Sequence, residues 1–259
     1  MKNEKQKLTL DDGNIVDAQT PLIVSASRAT DIPAFYSNWF FNRLGKGHVR
    51  WRNPYNGKDS YVSFDNTKFI VFWSKNPAPL FPFLPILKQK GIGCYVQYTL
   101  NDYEAEGLEP SVPPLHGRIE TFKRLVDELG LGSVVWRFDP LILTDRISAE
   151  DLLHKISNIA GELRGYVEKL VFSFADISSY RKVGRNLSDA GINYHEWSED
   201  EMVEFSRRLA DMNLGVELAT CAEKIDLSEF GINHNRCIDP ELIVRLSPEL
   251  EPLIRNSKT

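Results

Sequence analysis

Charged and hydrogen-bonding side chains stand at the ends of several apolar runs in this sequence. The run PLIV, for example, is followed directly by SASRATDIP at residues 25–33. Such groups could bind and orient a ligand, and the carboxylates among them could act as general acids or bases. Burying charges beside apolar strands costs free energy unless they are paired or functional. Their recurrence therefore predicts a polar pocket.

The chemistry of each side chain suggests its role in that pocket. Anion binding suits the basic residues, which are Arg28, Lys75 and Arg137. Catalysis or ligand orientation suits the carboxylates, which are Asp31, Asp139 and Glu223. The other ligand-binding candidates are neutral and polar: Ser25, Thr30, Asn76, Gln97 and Thr99.

Ordinary structural roles stay open for the same residues. Thr30 or Asp31 could cap a helix that begins near Pro33. Arg137 and Asp139 could form a structural ion pair, and Lys75 could be a solvated loop lysine. The pocket hypothesis depends on the coincidence of six polar run ends rather than on any one residue.

Six short runs rich in Val, Ile, Phe or Tyr are predicted to be the strands that position these groups. They span residues 21–27, 69–74, 94–100, 133–139, 169–176 and 216–223. Their weak alternation is typical of strands covered on both faces, and amphipathic helical patterns lie between them. Two of these helices are predicted to begin at serine caps, Ser148 ahead of Asp151 and Ser198 ahead of three acidic residues. Strand–helix alternation predicts an α/β fold with mostly parallel strands, as an open sheet or a barrel. We expect a TIM-like (β/α) barrel or partial barrel, with its site at the carboxyl ends of the strands.

One segment departs from this alternation. Residues 48–65 contain NPYNGKDS, in which Asn-Gly predicts a β-hairpin inserted between two α/β units. Its basic residues alternate with aromatic ones, so phosphate or nucleic acid is a further candidate partner. For the whole chain we predict a polar lead-in over 1–20, one domain over 21–246 and a tail over 247–259.

The bulk composition excludes several classes of protein. The chain has 259 residues, a net charge of −5 and a pI near 5.6, so no global basic field draws it to nucleic acid or membrane. Neither a membrane-length apolar run nor a signal peptide is apparent, which predicts a cytoplasmic protein without a membrane partner. No histidine stands in a standard metal-ligand spacing. A metal-dependent hydrolase using Asp31, Asp139, Glu217 and His234 stays an alternative.

Several blocks closely resemble a bacterial family catalogued as domain of unknown function 1848. They occur in one order over residues 21–246 and include SASRATDIPAFYSNWFFNRL, FIVFWSKNPAPL, YVQYTLNDY, VVWRFDPLILTD and TCAEKIDLSEFGI. The resemblance implies a radical-SAM-like barrel that holds a [4Fe–4S] cluster and S-adenosylmethionine. Together with the polar strand ends, it suggests a radical-SAM-related enzyme that binds a polar or phosphorylated, nucleotide-like small molecule at those strand ends.

The chain departs from the family in its cysteines. Longer members resemble cluster proteins through a cysteine-rich tail, whereas this sequence keeps only Cys221 and Cys237 of the family's positions. Two thiolates are too few for a complete cluster. The chain could be a shortened form, with both cysteines serving an auxiliary cluster, or a variant acting as a catalytically silent binding subunit of a larger assembly. A zinc site at these cysteines with His234 is a further alternative.

Overall fold

The structure is a computed structural model that describes residues 5–27, 30–53, 56–179, 181–221 and 225–256. The strands in these ranges are β1 (Lys5–Thr9), β2 (Ile15–Gln19), β3 (Ile23–Ala26), β4 (His48–Arg52), β5 (Asp59–Ser63), β6 (Phe69–Ser74), β7 (Gly93–Thr99), β8 (Val134–Leu141), β9 (Leu143–Thr144), β10 (Lys169–Phe174), β11 (Tyr194–His195), β12 (Glu217–Thr220) and β13 (Asn233–His234). The helices are α1 (Ile32–Phe35), α2 (Ser37–Gly45), α3 (Leu84–Gln89), α4 (Leu115–Leu129), α5 (Ala149–Glu162), α6 (Arg181–Asp189), α7 (Glu199–Asp211), α8 (Pro240–Leu246) and α9 (Glu251–Asn256). Short 3-10 helices span Ala78–Phe83, Ser228–Phe230 and Pro248–Leu250.

Contacts divide the chain into two compact units. The first contains residues 1–96 and 238–259, and the second contains residues 97–237. An aromatic cluster of Phe40, Phe41, Phe64, Phe72 and Phe83 packs inside the first unit. A second cluster, of Phe172, Phe174, Trp197 and Phe205, packs inside the second unit. The single domain over residues 21–246 stays a prediction, and each unit is treated by itself below.

A large, mostly parallel sheet of seven strands confirms the α/β class. The boundary between the units falls within β7. The order of the strands is β3–β6–β7 in the first unit and β7–β8–β10–β12–β13 in the second. All six predicted runs contain strands of this sheet, and β6, β7, β8 and β10 are largely buried, as strands covered on both faces are. The sheet is open over the described residues: β3 is bonded to β6 and β13 to β12. A closed barrel, which needs its first and last strands to pair, is not confirmed.

The inserted hairpin is confirmed, but the predicted polar lead-in contains structure. Strand β4 pairs antiparallel with β5, as the Asn-Gly signal indicated. Strands β1 and β2 form a second hairpin, and β2 runs parallel to β5 in a four-stranded sheet. Residues 5–19 look polar because β1 and β2 alternate between exposed and less exposed side chains, as strands with one face open to water do. The predicted tail likewise contains the helix α9.

Two predicted helix starts are confirmed in detail. Ser148 accepts a hydrogen bond from the backbone N–H of Asp151, whose carboxylate accepts in return from Ser148. Ser198 and Glu201 form the same reciprocal capping box at the start of α7. No helix in the described ranges is both long and apolar enough to cross a membrane.

Replacing Gly93 by alanine is expected to destabilise the first unit. An added Cβ would lie 2.6 Å from Ser247 Oγ and 2.7 Å from the Phe69 ring, and both residues are buried. Overpacking of this kind costs about 1–3 kcal/mol. The matched control is Gly117→Ala in α4, where a Cβ meets nothing within 4 Å. This control should be neutral or gain up to about 1 kcal/mol. Urea unfolding of both variants checks the prediction, and equal midpoints would contradict it.

Candidate functional site

The second unit gathers polar side chains at the carboxyl ends of four neighbouring strands. Gln97 comes from β7, Arg137 and Asp139 from β8, Ser173 from β10, and Cys221 follows β12 directly. Parallel strands present their carboxyl ends at one edge of a sheet, which is why residues distant in sequence meet here. We call these five residues the strand-end cluster.

Arg137 is the buried charge of the strand-end cluster, with 2% of its surface exposed. Its Nε donates to Asp139 Oδ2 at 3.0 Å, and its Nη2 donates to the same oxygen. Its Nη1 lies 3.4 Å from Gln97 Oε1. Burial is the largest influence and disfavours the charged guanidinium, but Asp139, aided by Cys221, outweighs it and raises the pKa of Arg137. Arg137 therefore stays charged and is already paired.

Asp139 is the partly accessible partner of that ion pair. Its side chain is 27% exposed, and Oδ1 accepts a hydrogen bond from the Ser173 hydroxyl. Its backbone is held by Asn101, whose Oδ1 accepts from Asp139 N at 2.9 Å and whose Nδ2 donates to Asp139 O at 3.3 Å. Asn101 is fully buried and also donates to Glu109. The carboxylate thus has a fixed orientation and one solvent-facing side.

Cys221 and Cys237 lie together beside this ion pair. Their Sγ atoms are 4.0 Å apart, with Cys221 half-buried and Cys237 exposed. Burial raises the pKa of the Cys221 thiol, while the hydrogen bond and charge of Arg137 act in the opposite direction. The arrangement places a dithiol at the edge of the strand-end cluster.

This donor set does not fit an iron–sulfur cluster. A [4Fe–4S] centre needs three or four thiolates, and the second unit has only two cysteines, Cys221 and Cys237. The remaining cysteine, Cys94, belongs to the first unit, and burial raises the pKa of its thiol to about 12. No step through a cluster is derived for this chain.

The other predicted metal sites receive no support from the residues that the structure describes. Among the residues that the structure describes, no group of three or more His, Cys, Asp or Glu side chains could hold a metal ion. The zinc alternative with His234 and the hydrolase alternative both needed such a group. Glu217 is the first residue of β12, at the amino end of the strand, where it pairs with Lys169 at 3.2 Å.

In the first unit, Asp31 has a defined structural role. Its Oδ1 caps α1 by accepting from Ala34 N at 2.9 Å. Its Oδ2 accepts from the Ser74 hydroxyl at 3.0 Å and from Lys75 N at 2.8 Å. The carboxylate therefore ties the start of α1 to the end of β6. Of the two predicted caps, Asp31 is the one observed, and the exposed Thr30 is not.

Two other predicted ligand-binding residues, Ser25 and Asn76, also form hydrogen bonds within the first unit. Ser25 Oγ accepts from the Trp73 indole N–H at 3.2 Å, and Asn76 N donates to Ser74 Oγ at 2.9 Å. Neighbouring Ser27 has a φ of 98°, a strained value for a residue other than glycine, and its hydroxyl accepts from Ile32 N.

The structure shows little about the remaining predicted site residues. Arg28 and Glu223 lie outside the described residues. Thr99 is half-buried at the end of β7. In the hairpin, Arg50 pairs with Asp59 at 2.8 Å and Arg52 Nε donates to Gly57 O, so two of its basic side chains bond locally. A nucleic-acid contact there stays a prediction.

The candidate site residues did not include Ser173 and Asn101. Both stand at predicted strand ends, and that position was the only signal that could have found them. Serine and asparagine are common in loops and caps, so their residue types alone do not mark a site. Only the contacts with Asp139 reveal their role.

Comparison with known proteins supports the resemblance carried by the sequence blocks. The family described as Domain of unknown function (DUF1848) matches residues 23–258, nearly the whole chain. No curated protein and no solved structure matches it. The chain therefore belongs to the DUF1848 family.

Proposed function

We propose that this chain is a radical-SAM-related α/β protein that binds a polar, nucleotide-like or phosphorylated small molecule. The ligand binds at the strand-end cluster of the second unit, and the fold is a partial (β/α) barrel. The observation that carries the proposal is the ion pair of the buried Arg137 with the partly exposed Asp139 at the carboxyl ends of the strands. Burying an ion pair brings little net stability, so a pair retained at this edge supports a functional role.

The geometry favours a ligand that presents hydrogen-bond donors to Asp139. Arg137 already gives two N–H groups to this carboxylate, so its charge is largely balanced before a ligand arrives. The accessible side of Asp139 is an anionic acceptor, which suits sugar hydroxyls or amino groups. Ser173 and Asn101 hold that acceptor in place and so reduce the ordering cost of binding. A nucleoside portion meets these requirements.

The chemistry carried out on the ligand stays outside this proposal. Cluster-dependent steps are not part of it, because two sulfurs do not complete the ligand set. A catalytically silent binding subunit would use the same pocket in the same way. Binding is therefore the property to test first.

Isothermal titration with adenosine, AMP, S-adenosylmethionine and inorganic phosphate tests the proposal. We expect a nucleoside-containing probe to bind the wild-type chain, and Ser173→Ala to weaken binding about tenfold by releasing Asp139, a loss of about 1.4 kcal/mol. The matched control is Glu217→Gln, at the other end of β12, which should bind as the wild type does. Absence of binding by every nucleoside probe, or equal weakening by both variants, would refute the proposal.

A further inference from the structure

The dithiol at the edge of the strand-end cluster has the geometry of a disulfide-forming pair. The Sγ atoms of Cys221 and Cys237 are 4.0 Å apart, and both cysteines are free. A disulfide bond is about 2.05 Å long, so closure needs the two sulfurs to approach by about 2 Å. Rotation about the side-chain torsions of an exposed cysteine can supply such a movement.

The backbone holds the two cysteines in this proximity. Cys221 directly follows β12, and Cys237 lies shortly after β13, its parallel neighbour. The pairing of Thr220 with His234 continues as a hydrogen bond from Asn235 N to Thr220 O at 2.6 Å, and Cys221 N donates to Phe172 O at 3.1 Å. Strand pairing therefore brings together the two segments that carry the cysteines.

The two sulfurs differ in accessibility in the way that a two-step exchange requires. Cys237 is exposed and can be reached by a reagent, whereas Cys221 is half-buried against the Arg137 guanidinium. Burial raises the pKa of the Cys221 thiol, while the adjacent guanidinium acts in the opposite direction by favouring the thiolate, the nucleophilic form of cysteine. Cys237 is thus placed to react first and Cys221 to resolve the product.

We propose that Cys221 and Cys237 are a redox-responsive site that closes reversibly into a disulfide by exchange with a small-molecule disulfide. This site goes beyond ligand binding at the strand-end cluster and needs no metal. It is a covalent property of the second unit alone.

The exchange balances in two steps. The Cys237 thiolate attacks one sulfur of the small-molecule disulfide, which forms a mixed disulfide and releases one thiolate. The Cys221 thiolate then attacks Cys237 Sγ, which forms the Cys221–Cys237 bond and releases the second thiolate. The protein loses two electrons and two protons, and the small-molecule disulfide is reduced to two thiols.

Incubation of the full chain with glutathione at graded oxidised-to-reduced ratios, in the presence of a chelator, tests this proposal. After the remaining thiols are alkylated, trypsin should yield residues 209–224 joined to residues 237–245, because Arg208, Lys224, Arg236 and Arg245 provide the four cleavage sites. The intact chain should lose about 2 Da, the mass of the two hydrogens removed. Dithiothreitol should reverse both changes.

Single cysteine variants distinguish the role of Cys237, which reacts first, from that of Cys221, which resolves the mixed disulfide. Cys221→Ser should accumulate a glutathione adduct on Cys237, and Cys237→Ser should react about tenfold more slowly because its remaining thiol is half-buried. Cys94→Ser is the matched control and should form the same disulfide as the wild type. Alkylation of both Cys221 and Cys237 at the most oxidising ratio, or a disulfide between separate chains, would overturn the proposal. Neither result depends on ligand binding, so failure here is distinguishable from failure of the proposed function.

Discussion

Replacing Asp139 by asparagine should destabilise the second unit by about 3–5 kcal/mol, because it leaves the Arg137 guanidinium buried without a countercharge. Arg137→Met should cost less, about 1–2 kcal/mol. The carboxylate that remains is partly exposed to water and keeps the Ser173 hydroxyl as a donor. Urea unfolding of each purified variant measures both losses.

The double variant makes this prediction specific to the ion pair. Removing both charges leaves no unpaired ion, so Arg137→Met combined with Asp139→Asn should cost clearly less than the sum of the single changes. Glu217→Gln is the control, because its exposed pair with Lys169 contributes at most about 1 kcal/mol. Strictly additive losses would show that Arg137 and Asp139 do not act as a pair.

Replacing Asp31 by alanine should destabilise the first unit by about 2–4 kcal/mol. The change removes a helix cap worth about 1 kcal/mol and two further hydrogen bonds to a charged acceptor. Asp31→Asn should lose less, because its amide oxygen can still accept at the cap. Thermal and urea unfolding of the same variants provide the measurement.

Two controls separate capping from tethering in this prediction. Ser74→Ala removes one of the three donors to Asp31 and should cost about 1 kcal/mol. Thr30→Ala alters the exposed residue that was the alternative cap and should change stability by less than about 0.5 kcal/mol. A larger loss for Thr30→Ala than for Asp31→Ala would reverse the assignment of the cap.

Local signals predicted the elements of this fold well. The six apolar runs became strands, the Asn-Gly turn became a hairpin, and the serines before α5 and α7 became capping boxes. Each of these features depends on residues close together in the chain, so the sequence contains the information in one place. The hairpin of β1 and β2 was not predicted. Its strands are only partly buried, and β2 pairs with β5, a strand distant in sequence.

The candidate site could be predicted only as a set of polar strand ends. Of this set, Gln97, Arg137 and Asp139 meet in the second unit. The set also included Asp31, whose oxygens are taken up by a cap and a tether in the first unit. In the sequence, Asp31 and Asp139 look alike, because both are carboxylates at strand ends. Only their hydrogen-bond partners distinguish a helix cap from a member of the strand-end cluster.

By itself the sequence determined the α/β class, the family, the helix starts and the residue types available at the strand ends. Only the tertiary structure decided that Gln97 and Ser173 contact the Arg137–Asp139 pair, and that the Sγ atoms of Cys221 and Cys237 lie 4.0 Å apart. The physical reason is that the register between parallel strands joins residues separated by whole helices along the chain. Burial then sets the charge state and reactivity of the groups that the register brings together.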